Sequence, residues 1–127
     1  MFKIFTTVAA TLAIAATAAA VPVASAKNSP RVSVAGACTH NSNAKLKLSS
    51  DNSRIEVEFE VDQNRNGVPW KVTLRRNGTL VVSATATTHV PSGSFSVRRL
   101  IARANTTDRI TALATRSGER CTAQATF

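Results

Sequence analysis

The chain has 127 residues, a formal net charge of +9 and 43% hydrophobic residues, with 2 cysteines and 2 histidines. We expect this length to provide one small domain and no more. No catalytic, metal-binding or nucleotide-binding motif stands out in the sequence, so architecture and surface charge carry most of the information.

The first 26 residues have the organisation of an export signal. Lys3 is followed by the apolar residues 8–21 and then by the small-x-small pattern of residues 24–26, after which signal peptidases cut. The alternative is a membrane anchor, but the segment is mostly Ala and Thr and contains Pro22, whereas a spanning helix needs about 20 strongly apolar residues. We therefore predict a secreted, extracellular protein that begins near Lys27 and is not inserted in the membrane.

Cys38 and Cys121 are the two cysteines of the chain, 83 positions apart. In an exported protein such a pair is typical of a disulfide that joins the start of the mature chain to its last strand. The alternative is a free, redox-active pair of thiols, which the lack of a Cys-x-x-Cys spacing disfavours. A metal site or a thiol nucleophile formed by Cys38 with His40 would need a free thiol, so a disulfide would exclude both.

Apolar and polar residues alternate with a period of two in several segments. In residues 54–61, Ile55, Val57, Phe59 and Val61 share one side and three glutamates the other, as in a strand with one buried face. Further strands are predicted around Leu46 and at 70–75, 79–85, 94–100, 109–115 and 120–127, separated by Gly-, Asn- and Ser-rich turn sequences.

Seven short strands at this spacing predict an antiparallel β-sandwich over residues 44–127, preceded by an N-terminal segment, residues 27–43, that carries Cys38. The residues predicted to lie inside are the apolar members of the alternating segments: Leu46, Leu48, Ile55, Val57, Phe59, Val61, Trp70, Val72, Leu74, Val82, Phe95, Val97, Ile110, Ala112 and Ala114.

The alternation from Asp108 through Ile110 and Ala112 to Ala114 resembles the Asp-x-Tyr-x-Cys-x-Ala pattern of the sixth strand of the immunoglobulin-like family. Trp70 lies on the third predicted strand, where that family buries a tryptophan. Ile110 and Ala112 replace the tyrosine and cysteine of the pattern, so the resemblance implies the fold without its usual disulfide between the sheets. The chain also resembles small exported actinobacterial proteins of unassigned function, and this resemblance implies no activity.

Glu56, Glu58 and Glu60 form a stripe of acidic residues on one predicted strand. If that strand pairs with the one around Leu46, Lys45 and Lys47 lie opposite the glutamates, and the stripe is structural. The alternative is a pair of carboxylates for acid and base catalysis, which the lack of a neighbouring aromatic cleft disfavours.

Residues 62–67, Asp-Gln-Asn-Arg-Asn-Gly, match the first half of a calcium-binding loop. The twelfth position is Thr73 instead of the required Glu, and Arg65 brings positive charge into the loop. A turn rich in Asn and Gly between two strands explains the same residues, so we predict no metal or other cofactor.

Removing the signal takes away one lysine and no acid, which lowers the net charge from +9 to +8. Such a charge attracts polyanions over a Debye length of about 8 to 10 Å. The alternative is that the charge only keeps the protein soluble. Arginines cluster at positions 75 and 76, at 98 and 99 with 103, and at 109, 116 and 120. The candidate anion-binding residues are those of the first two clusters: Arg75, Arg76, Arg98, Arg99 and Arg103.

These features favour a secreted, non-enzymatic binding or structural module whose partner is an anionic cell-envelope polymer or another protein. The alternative is a small secreted inhibitor or antimicrobial protein that presents residues 89–93, His-Val-Pro-Ser-Gly, as a rigid loop or binds negatively charged membranes. A hydrolase is disfavoured, because there is no Gly-x-Ser-x-Gly sequence and neither histidine is next to an acid in the sequence.

Overall fold

The computed structural model describes residues 30–127, and the predicted signal peptide lies outside them. Within this part of the chain every regular element is a β-strand, and no helix with the length and hydropathy for crossing a bilayer is present. There are nine strands in residues 30–127: β1 (Arg31–Ala35), β2 (Ala37–Cys38), β3 (Asn43–Asp51), β4 (Arg54–Asp62), β5 (Pro69–Arg76), β6 (Thr79–Thr87), β7 (Ser94–Ala102), β8 (Arg109–Arg116) and β9 (Glu119–Thr126).

The strands form two antiparallel sheets that enclose one core. The four-stranded sheet has the order β1-β3-β4-β7, and the five-stranded sheet has the order β2-β9-β8-β5-β6. This arrangement confirms the predicted all-β, two-sheet architecture. The strands β6 and β7 contact each other at one side of the sandwich, while β1 and β2 form the edges at the other side.

Short turns connect the hairpins where the sequence predicted them. Asn77 and Gly78, between β5 and β6, both have positive φ, at 51° and 86°. Two such residues give a type I′ turn, whose twist matches that of the paired strands. Asn52 between β3 and β4 and Gly118 between β8 and β9 also have positive φ, which these residue types tolerate best.

The core consists of the inward-facing residues of both sheets. Trp70 and Phe59 are its largest fully buried side chains, and the Trp70 ring lies 6.0 Å from the ring of Phe95. Of the residues predicted to lie inside, all are buried except Val82, which is half-buried because β6 is an edge strand. Residues that the prediction missed also line the core: Ala44, Ile101, Cys121, Ala123 and Ala125.

Two strands were absent from the prediction of about seven. β1 pairs with β3 in the four-stranded sheet, and β2 pairs with β9 in the other. The chain changes sheets at Gly36, where a Cβ atom would lie 2.7 Å from the carbonyl oxygen of Thr122 and 2.8 Å from Cβ of Ala44. These strands have five and two residues, too short for sequence periodicity to identify reliably.

The predicted disulfide between Cys38 and Cys121 is present, with a Cα–Cα distance of 4.1 Å. The two cysteines are direct partners in the register of β2 and β9, so the bond lies within the five-stranded sheet. It uses both sulfurs, which excludes the thiol nucleophile and the thiolate metal ligand considered for Cys38 with His40.

Candidate anion-binding face

The outer face of the five-stranded sheet carries four exposed cations, which we name the basic face. Trp70, Val72 and Leu74 of β5 point into the core, so the alternation of the strand directs Lys71 and Arg75 outward. By the same rule Arg109 on β8 and Arg120 on β9 point outward, because Ile110 and Cys121 beside them are buried. The basic face consists of Lys71, Arg75, Arg109 and Arg120.

The strand register spreads these cations over the two ends of the sheet. Lys71 is paired with Thr115, which is paired in turn with Arg120, so the two cations are roughly 10 Å apart across two strand spacings. Arg75 is paired with Thr111, two residues after Arg109. Lys71 and Arg75 are separated by roughly 13 Å along their strand. An extended polyanion lying across the sheet would therefore meet cations at both ends.

Hydroxyl groups fill the space between the cations. The outward positions include threonines on β5, β6, β8 and β9, and a groove of 600 Å³ runs beside Lys71, Ser83, Thr85 and Thr115. Hydroxyl donors can bond to the oxygens of phosphate or carboxylate groups that the cations attract. The threonines near the centre of the face are Thr73, Thr111, Thr115 and Thr122.

No acidic residue lies on the basic face, and all seven acids of the chain fall within the described residues. Asp51 and Asp62 are at the ends of β3 and β4. Asp108 and Glu119 are buried. The remaining three acids, Glu56, Glu58 and Glu60, lie on the outer face of the four-stranded sheet. Nothing on the basic face therefore compensates its positive charge at close range.

The outer face of the four-stranded sheet, which we name the mixed-charge face, is organised differently. The register places Lys45 opposite Glu60 and Lys47 opposite Glu58, as the predicted pairing of these strands requires. On the other side, the Arg98 guanidinium contacts Glu56 at 2.9 Å and Glu58 at 3.3 Å. The glutamates thus act as cross-strand partners of cations, and the structural interpretation of the stripe accounts for their contacts.

The five arginines proposed from the sequence do not form one patch. Arg75 belongs to the basic face, whereas Arg98 belongs to the mixed-charge face and is engaged by two glutamates. Arg76 points between the sheets and donates to the carbonyl oxygen of Ala102 at 2.6 Å. Arg99 pairs with the inward-facing Val57, but its side chain is exposed because β7 is an edge strand. The Arg103 guanidinium lies 4.8 Å from the ring centre of Phe127.

Lys71, Arg109 and Arg120 were not among the proposed site residues. None of them has a cationic neighbour in the sequence, so a search for adjacent arginines passes over them. The relevant signal is the strand alternation itself. In a strand, two adjacent arginines point to opposite sides, while isolated cations on neighbouring strands can share a face.

Asp108 organises the end of the sandwich next to Arg75 and Arg109. Its carboxylate accepts hydrogen bonds from Nδ2 of Asn77 at 2.7 Å and from the amides of Ala104 and Asn105 at 3.2 and 3.1 Å. Burial raises the pKa of Asp108, but these hydrogen bonds and the charge of Arg76 outweigh it and leave the pKa below its ordinary value. The charged carboxylate therefore joins the β5–β6 turn to the segment before β8.

Glu119 lies at the opposite end, above Trp70. Its carboxylate accepts a 2.7 Å bond from Arg116, and the Arg116 guanidinium lies 5.4 Å from the Trp70 ring centre. Burial raises the pKa of Glu119, whereas the adjacent Ser42 and the guanidinium of Arg116 lower it below its ordinary value. The Ser42 hydroxyl and Oε1 of Glu119 are buried without a hydrogen-bond partner among the described residues, so the hydrogen bond to this carboxylate comes from Arg116.

The half-motif for calcium, residues 62–67, forms a tight turn between β4 and β5. Oδ1 of Asp62 accepts the amide hydrogen of Asn64 at 2.9 Å, which is an Asx turn. Oε1 of Gln63 accepts from Nε1 of Trp70 at 3.1 Å. Both side-chain oxygens thus have partners within the protein, as the turn interpretation expects.

The loop considered as an inhibitory segment, residues 89–93, connects β6 to β7. Thr88 fixes its base, because Oγ1 donates to the carbonyl oxygen of Arg65 at 2.6 Å and accepts from the amide of Val68 at 2.9 Å. The amide of Gly93 donates to the carbonyl oxygen of His89 at 3.0 Å, and Val90 is 68% exposed. The loop is therefore short, is held by an internal hydrogen bond and carries an apolar side chain at its tip.

Comparisons of this chain with known protein families, with curated proteins and with solved structures found no match.

Proposed function

We propose that this protein is a secreted, non-enzymatic, immunoglobulin-like module that binds an anionic polymer of the cell envelope through the basic face. The observation that carries the proposal is the segregation of charge. Within the described residues, the basic face has four cations and no acid. The mixed-charge face has three glutamates, of which Glu56 and Glu58 contact Arg98 and Glu60 lies opposite Lys45 in the strand register.

The strand order supports the immunoglobulin-like assignment. Counting from β3 as the first strand, the first, second and fifth strands are neighbours in one sheet, and the third, sixth and seventh are neighbours in the other. Immunoglobulin-like sandwiches distribute their strands in this way. The fourth strand, β6, pairs with β5, and Trp70 is fully buried on the third strand.

The predicted export signal and the disulfide between Cys38 and Cys121 together support secretion. Disulfides of this kind persist in oxidising compartments and are rare in the cytosol. Outside a bacterial cell, phosphate-rich polymers such as teichoic acids supply repeated negative charges. They match a face whose cations are spaced at about 10 and 13 Å, close to the Debye length at physiological ionic strength.

The test compares two variants that lose the same number of cations from opposite faces. The first is K71Q/R75Q/R109Q/R120Q, on the basic face. The matched control is R31Q/K45Q/K47Q/R98Q, on the mixed-charge face. Binding to purified wall teichoic acid is measured for both variants and the parent at several salt concentrations.

We expect the parent to bind less tightly as salt rises, as for proteins that contact phosphate chains. The basic-face variant should lose most of its affinity and salt dependence, while the control keeps most of both. Equal losses in the two variants would show that only the net charge matters. Parent binding that does not respond to salt would refute the proposed electrostatic mechanism.

A second function, protease inhibition, is favoured by the geometry of residues 89–93. A loop that is held by internal hydrogen bonds and has Val90 at its tip has the rigidity that a substrate-like inhibitor needs. Inhibition assays with proteases that prefer apolar side chains would test this function. Substrate-competitive inhibition that is lost in Val90→Asp would support it, whereas no inhibition by the parent would remove it.

A further inference from the structure

The outer edge of β6 is open for pairing with another strand. β6 has nine residues and ends the five-stranded sheet. Its ladder partner on one side is β5, and no other backbone hydrogen bond within residues 30–127 involves it. The backbone groups of every second residue of β6 therefore face outward, as at any unprotected sheet edge.

β6 differs from the other long strands in its charge. Each of the other strands with five or more residues contains at least one Lys, Arg, Asp or Glu, whereas residues 79–87 contain none. Charged residues are the usual protection against pairing between edges. The opposite edge of the same sheet, β2, has two residues, and β7, at the edge of the other sheet, carries Arg98 and Arg99.

We propose that β6 pairs with β6 of a second copy of this chain, antiparallel about a two-fold axis at Ala84. This inference does not depend on polymer binding. Residues that lie opposite each other in an antiparallel pair point to the same side of the sheet, and centring the pair on Ala84 satisfies this condition. Ser83 then faces Thr85 on the outside, and Val82 faces Ala86 on the inside.

This register also fits the irregularity in β6. The pairing with β5 shifts between Leu74 and Arg75, next to Val81, and it is regular from Val82 onward. The side chains at the centre are small, so a second backbone can approach them. The pair would cover the exposed part of half-buried Val82, Ala84 and Ala86.

A second copy is the occupant that the uncharged edge of β6 favours, because the pairing joins two strands that carry no charge. Two strongly basic molecules repel one another, and Arg98 and Arg99 on β7, which contacts β6, contribute to this repulsion. On the basic face the nearest cations are on β5, and Lys71 would be at least about 14 Å from its counterpart across three strand spacings. That distance exceeds the Debye length of about 8 Å at physiological ionic strength. Because β2 is so short, the doubled sheet ends there and the assembly closes as a dimer.

The test is sedimentation velocity of the disulfide-bonded protein over a range of concentrations and salt. We expect a reversible dimer that becomes tighter as salt screens the remaining repulsion. The variant S83K/T85K places lysines opposite lysines, and we expect its dimer dissociation constant to rise at least tenfold. The matched control T73K/T122K adds the same charge to the same face, away from the edge, and should dimerise more tightly than S83K/T85K.

Mixing S83K/T85K with S83E/T85E should restore a dimer that contains one copy of each. If the lysine variant does not fold, hydrogen exchange of the parent gives the same answer, since amides of β6 should gain protection as its concentration rises. A parent that stays monomeric at millimolar concentration and high salt would refute the proposal. Dimerisation of S83K/T85K as tight as that of T73K/T122K would also refute it, and so would open-ended assemblies of the parent.

Discussion

The two outer faces of the sandwich both carry several cations and differ in their acids. The basic face has Lys71, Arg75, Arg109 and Arg120, and the mixed-charge face has Arg31, Lys45, Lys47, Arg54 and Arg98. Only the mixed-charge face has glutamates, and these contact or face cations on both neighbouring strands. The position of the few acids, more than the clustering of arginines, therefore determines where this basic protein presents unpaired positive charge.

Both faces depend on one shared core, so the largest expected effect comes from breaking that core. Phe59 is fully buried, between Leu46 and Val97 in the register of the four-stranded sheet. We expect Phe59→Ala to lower the free energy of unfolding by about 3 to 5 kcal/mol, measured by urea denaturation. Ser96→Ala, at an exposed position on β7, is the control. A parent-like midpoint for Phe59→Ala would contradict the assignment of inward and outward residues.

Removing the disulfide should weaken one sheet more than the other. Cys38 and Cys121 join β2 to β9 in the five-stranded sheet. The double variant C38A/C121A should lose about 2 to 5 kcal/mol of stability, in the range usual for a small secreted domain. Hydrogen exchange should show the largest loss of protection in β2 and β9. A loss confined to β3, β4 and β7 would conflict with this prediction.

Acid should destabilise the protein through the two buried carboxylates. The pKa values of Asp108 and Glu119 are lower in the folded protein than their ordinary values, so the folded state binds fewer protons than the unfolded state. Their contribution to stability is complete above the ordinary range near pH 4 and is lost as pH falls through the folded-state pKa values. Urea midpoints between pH 6 and 2 should fall less steeply for Asp108→Asn than for the parent. Parallel profiles would exclude this role for Asp108.

The smallest effect on stability should come from removing the acids that distinguish the two faces. The triple variant E56Q/E58Q/E60Q loses exposed ion pairs, each worth about 0.2 to 1 kcal/mol. It should nevertheless bind teichoic acid more tightly than the parent, because the mixed-charge face then resembles the basic face. Unchanged affinity would mean that cation density alone does not create a binding face.

Much of the fold follows from patterns in the sequence. The alternation in residues 54–61 identified β4 and its buried side, and Asn77-Gly78 marked a hairpin that the structure contains. β2 could not be found in this way, because its two residues are held by β9 and the disulfide, which are contacts distant in sequence. Val82 was assigned to the interior because the sequence does not reveal which strand will be at an edge.

The candidate site was harder to predict from the sequence than the fold. Arg75 and Arg76 are adjacent in sequence, but one faces solvent and the other bonds to Ala102 between the sheets. Locating the basic face required the order and register of β5, β8 and β9, and these depend on which strands become neighbours. Which strands become neighbours is determined by packing between residues that are far apart in the sequence. A single sequence gives little indication of such contacts.

The hydrogen bonds made by Asp108 and Thr88 have a consequence for how this scaffold tolerates change. Each side chain binds backbone groups of loops at its own end of the sandwich, so these hydrogen bonds constrain the loops. Antibody domains diversify at such loops. In this protein, neutral substitutions in a library of variants should accumulate at the solvent-facing positions of the strands. New binding specificities should therefore be easiest to select on the outer faces of the two sheets.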